Sequence, residues 1–132
     1  MTATRTLLLS LVFFSLGACV VSDDEEFVLN CYQSDWTETY TGTIRCDGEN
    51  AEPVTVTVMA SGDDQIIFEH TEGTLRLTSD PLPFTDCRVN SSFQSGSVNV
   101  TILAELTADG IEIDQTVSDG STSRRCVITA NR

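Results

Sequence analysis

The sequence predicts an all-β domain: a small antiparallel up-and-down barrel of about eight strands, with a two-sheet β-sandwich as the alternative. Three observations predict it. From Thr39 onward apolar and polar residues alternate with a period of two, and many of them are β-branched, the pattern of strands buried on one face. Glycine, asparagine, aspartate and proline break that pattern at short intervals, as hairpin turns require. No segment carries a helical period.

Each element follows from its own residues. The stretch 27–36 is mixed and reads as a short helix or an irregular segment packed on one end of the barrel. The first strand sets Tyr40, Gly42, Ile44 and Cys46 against Thr39, Thr41, Thr43 and Arg45. The second sets Val54, Val56, Val58 and Ala60 against Thr55 and Thr57, and the third has Ile66 and Phe68 on the inward face. Leu75 and Leu77 mark the fourth, and Cys87, Val89 and Phe93 the fifth. The sixth carries Val98, Val100, Ile102, Ala104 and Leu106; the seventh Ile111, Ile113 and Val117; the eighth Cys126, Ile128 and Ala130. Pro81 and Pro83 mark a longer connection between strands four and five, where a strand can change sheet. A meander of this kind removes its exposed edges by closing. Closure pairs the first strand antiparallel with the last.

The N-terminus has a different character. Arg5 precedes an apolar run from Leu7 to Leu16, too short to span a bilayer and of signal-peptide length. The run ends in Leu16-Gly17-Ala18-Cys19, and Ser22-Asp23-Asp24-Glu25-Glu26 follows. These residues resemble the lipobox of bacterial lipoproteins. The resemblance implies a signal peptide over 1–18 and lipidation of Cys19; the acidic run then reads as a tether over 19–26, and the length and alternation that follow as a single β domain over 27–132. Val20 stands after the cysteine, where aspartate would retain a lipoprotein in the inner membrane. The expected location is therefore the cell envelope, anchored to the outer membrane by lipid on Cys19.

With Cys19 assigned to lipid, four of the five cysteines remain: Cys31, Cys46, Cys87 and Cys126. An even number in an exported domain reads as two disulfides, with three connectivities open. Barrel closure chooses among them. Cys46 ends the first strand and Cys126 begins the last, both facing inward, so Cys46–Cys126 is expected. Cys31–Cys87 then ties the N-terminal segment to the barrel.

The formal net charge is −13, and all seven basic residues are arginines. Removing residues 1–18 takes away Arg5 and no acid, which changes −13 to −14 and leaves 132 less 18, or 114, residues. Such a surface repels phosphate backbones and excludes nucleic-acid binding; it suits a basic protein partner. The single histidine, His70, stands beside Glu69 and Glu72 and is expected at a solvated strand end. No cofactor and no metal site is expected: Asp47-Gly48-Glu49-Asn50 and Asp63-Asp64 are acidic turns that do not match a calcium loop. No serine stands in a nucleophile elbow, and there is no phosphate-binding glycine loop. The chain reads as a non-enzyme.

Three roles remain. The first is a binding module that carries a small apolar ligand, although the Gly-x-Trp of lipocalins is missing around Trp36. The second is an inhibitor of a basic enzyme. Ser95-Gly96-Ser97-Val98 resembles the Ser-Gly-x-x-Tyr loop of periplasmic lysozyme inhibitors, without its tyrosine. The third is a structural envelope protein. Large inward apolar residues such as Val54, Val56, Ile66, Phe68 and Ile102 predict a packed interior, which favours the last two. Trp36 and Tyr40 flank the start of the first strand and are expected either to plug one barrel end or to line a barrel mouth as an apolar binding site.

Overall fold

The computed structural model describes residues 30–132. The lipobox, Cys19 and the acidic tether lie outside the described residues. After a four-residue helix, α1 (Gln33–Trp36), come nine strands: β1 (Thr39–Cys46), β2 (Glu52–Ser61), β3 (Gln65–Glu72), β4 (Leu75–Thr78), β5 (Leu82–Pro83), β6 (Arg88–Ser95), β7 (Val98–Leu106), β8 (Gly110–Ser118) and β9 (Ser123–Asn131). They form one antiparallel sheet in the order β4-β3-β2-β1-β9-β8-β7-β6, with β5 added beside β3. It is a half-barrel made from a single sheet.

The first and last strands pair as their inward faces require. β1 lies between β2 and β9, with Ile44 opposite Ile128 and Cys46 opposite Cys126. Each strand buries alternate residues, because successive side chains point to opposite faces. In β1 the buried side chains are Tyr40, Ile44 and Cys46; in β9 they are Cys126, Ile128 and Ala130. Gly42 faces Ala130 across this pair, and a Cβ there would run into the Thr129 carbonyl oxygen. A glycine is needed because the two backbones approach too closely for any side chain.

The sheet ends elsewhere, at β4 and β6, and no ladder joins these two strands among the described residues. The physical cause is the connection between them. Pro81 and Pro83 lack the N–H that a ladder needs, so only Leu82 and Pro83 pair, opposite Ile66 and Gln65 of β3. β5 packs beside β6 at this pole and bridges the gap there. Toward the other pole β4 is four residues long, and Leu75 stays exposed.

The first pole is plugged. Trp36 and Tyr40 are both fully buried. The Trp36 ring meets Phe68 edge-on at 6.2 Å and Phe84 at 6.1 Å, an aromatic geometry that adds to area burial. Its Nε1–H donates to the Asp86 carbonyl at 3.2 Å. Gln33 donates to the Gly62 and Gln65 carbonyls, which fastens α1 across the β2–β3 hairpin. The Tyr40 hydroxyl donates to the Trp36 carbonyl at 3.1 Å.

Two disulfides complete the fold, in the pairing that strand order predicts: Cys46–Cys126 across β1 and β9, and Cys31–Cys87 from the N-terminal segment to the start of β6.

Candidate functional site

The expectation of a packed interior holds for half of the barrel and is corrected for the other half. Val56, Ile66, Phe68 and Ile102 do pack, together with the Trp36 plug. Past them, toward the Cys46 pole, a cavity of about 310 Å³ opens between the β3–β4 hairpin and the far ends of β8 and β9. Its walls are Ile44, Leu75, Leu77, Val98, Val117 and the Cys126 side of the disulfide. The reason is local. On the deep half the inward positions carry large aliphatic and aromatic groups. On this half polar His70, Gln115 and Arg124 stand in phase with Ile44, Leu77 and Val117, and no β4–β6 ladder draws the walls together among the described residues.

His70 is a second correction. β3 runs on to Glu72, so His70 shares the inward face of Ile66 and Phe68. It stands between Val56 on β2 and Leu77 on β4 and is 7% exposed. The sequence placed it at a solvated strand end because the alternation was followed only to Phe68. Gln115, 5% exposed, occupies the inward position between Ile113 and Val117 on β8. The signal was a polar residue in phase with the buried ones. Both line the cavity, and both also line the small void beneath it, so they form its floor.

These two side chains define the chemistry. Neither makes a hydrogen bond to another group among the described residues, yet no fully buried polar side-chain atom is left unsatisfied. Their polar atoms therefore open onto the cavity. Polar groups held this deep normally have partners, because an unmade hydrogen bond is costly. Burial pushes the His70 imidazole below its ordinary pKa of 6.5, so the ring is neutral at physiological pH and offers one donor and one acceptor.

The rim is acidic. Glu72 lies against Glu52, and hydrogen bonding and repulsion from Glu72 raise the Glu52 carboxyl above its ordinary value. Asp119, in the β8–β9 turn, accepts from the N–H and hydroxyl groups of Ser121 and Thr122. Led by the two backbone N–H groups, these bonds pull its carboxyl down to about 2. Arg124 is the one cation among the described lining residues, and it is paired with Glu49 at 2.5 Å.

The other sequence-predicted features do not converge here. Asp63-Asp64 sits on the β2–β3 hairpin at the plugged pole, whereas Asp47 lies at the start of the β1–β2 loop, where its carboxylate accepts the Arg125 N–H. No cluster of three or more metal-ligating side chains forms among the described residues. Ser95-Gly96-Ser97-Val98 forms the β6–β7 hairpin beside the cavity, with Val98 in its wall. No hydroxyl or carboxylate is hydrogen-bonded to the His70 ring among the described residues.

Folding itself reports on His70. A base whose proton affinity falls on folding favours the folded state only while neutral. Stability is then full above about pH 6.5 and falls as the pH drops from there toward the lowered folded-state value. Urea titrations at about pH 7.5 and about pH 5.5 are expected to show a loss at the lower pH that His70→Phe removes. An equal loss in both proteins would contradict the assignment.

The fold and the site together define a class: a disulfide-bonded antiparallel half-barrel with one plugged end and one ligand-sized mouth. The chain matches no protein-family model, no curated protein and no solved structure.

Proposed function

We propose that this chain is a lipid-anchored protein of the bacterial outer membrane, a non-enzymatic module that binds a small ligand in the open mouth of its half-barrel. The observation that carries the ligand reading is the cavity of about 310 Å³ with two polar side chains on its floor that have no hydrogen-bond partner among the described residues. Ligand pockets run from about 300 to 1,000 Å³, are mostly apolar and contain a few convergent polar groups. A packed barrel would have favoured an inhibitory or structural role instead.

The anchor rests on the lipobox resemblance and suits the geometry of the site. Cys31 is tied to Cys87 at the plugged pole, and the mouth lies at the opposite pole. The twelve residues from Cys19 to Cys31 reach at most about 40 Å. A domain held this way presents its mouth away from the bilayer, and its net negative charge holds it off an anionic surface.

Two measurements test the proposal. Growth with a clickable fatty acid is expected to label the wild-type chain in the membrane fraction, and Cys19→Ser to abolish label and membrane retention together. Unlabelled wild-type chain would refute the anchor. Saturable binding of a small molecule, lost when the mouth is filled by Val117→Trp in a chain that still folds, supports the ligand reading. Saturable binding only of a basic protein would replace it with the inhibitor reading.

A further inference from the structure

The floor and rim of the mouth narrow the ligand to a chemical class. We infer that the site takes a compact uncharged amphiphile, held head first, whose head both donates and accepts hydrogen bonds to His70 and Gln115. This rests on the reading of the mouth as a ligand site.

The Gln115 amide offers donors and an acceptor, and the neutral His70 ring offers one of each. Both residues are more than nine-tenths buried and line the cavity, and neither side chain has a hydrogen-bond partner among the described residues. A carboxamide or hydroxyl head satisfies them; a hydrocarbon leaves them unmet.

Charge excludes the alternatives. Among the described residues, no carboxylate and no guanidinium stands on the floor beside His70 and Gln115. An anionic or cationic head placed there would lose its hydration without gaining a counter-ion. Glu72 and Asp119 at the rim repel an anion before it enters, and Arg124 is already engaged by Glu49.

Size limits the body. A cavity of about 150 Å³ accommodates benzene, so about 310 Å³ holds a head group and an apolar body of one ring or a short chain. Leu77, Val98 and Val117 supply the matching wall.

The test uses four probes with a common body: hexanamide, hexanol, hexanoate and hexylammonium. Each is titrated by NMR at neutral pH into the exported chain carrying Cys19→Ser. Hexanamide and hexanol are expected to bind at least about tenfold more tightly than either ion. Gln115→Leu is expected to weaken hexanamide about two- to tenfold, the loss of one hydrogen bond. Should Gln115→Leu fail to fold, the head-group ranking on the unsubstituted floor still decides. Tightest binding of hexanoate or hexylammonium, or equal binding of all four, overturns the inference and leaves the cavity a ligand site of other chemistry. No binding of any probe, with no other small molecule bound, overturns the ligand reading as well.

Discussion

Replacing Cys46 and Cys126 by alanine is expected to remove about 4 kcal/mol of stability and lower the melting temperature by roughly 15–30 °C. The disulfide closes a separation of 80 residues, and the entropy it removes from the unfolded chain grows with the logarithm of that length. Its sulfurs also stand where the first and last strands pair and where the cavity wall begins. Cys31–Cys87 closes 56 residues. On chain entropy alone its loss costs only about 0.3 kcal/mol less. Differential scanning calorimetry of the two double variants separates the terms. A much larger loss for Cys46–Cys126 means that the bond also holds the native strand pair; no loss would contradict its structural role.

Trp36→Ala is expected to cost about 3–5 kcal/mol, the range for truncating a buried aromatic. The ring is fully buried between Phe68 and Phe84, and its indole N–H satisfies the Asp86 carbonyl. Removing it empties the plugged pole and leaves that carbonyl without this donor. Trp36→Phe keeps part of the ring contact, so it should lose less. Denaturant unfolding measures both. A cost below about 1 kcal/mol for Trp36→Ala would show that the pole collapses to fill the void.

Much of this fold is written in the period of two. The alternation names the buried residues of β1, β7 and β9, and those of β2 except Ala60, which is exposed; the inward cysteines at Cys46 and Cys126 fix which strands must meet. Less legible is what interrupts a barrel. Pro81 and Pro83 reveal a connection, but their cost to the β4–β6 ladder depends on where β5 lands on β3, a long-range contact.

The site is harder still. His70 and Gln115 are in phase with their buried neighbours, yet polar residues there break the expectation of an apolar inward face. Such breaks in local consistency occur at functional positions. Volume is not additive along a sequence either. Val98 and Val117 read as core, and they line a cavity because the facing wall supplies too little to meet them. Nothing in composition distinguishes the half of the barrel that Trp36 and Phe68 fill from the half that stays open.

Native mass spectrometry shows whether the mouth holds a small molecule. The exported chain carrying Cys19→Ser is purified from the periplasm and incubated with a lipid and metabolite extract of the envelope. The account predicts a chain four hydrogens lighter than its reduced form, from two disulfides, with a discrete bound mass that is displaced by hexanamide and reduced by Gln115→Leu. An oxidised chain with no bound mass in any extract, and no change on adding hexanamide, would contradict it.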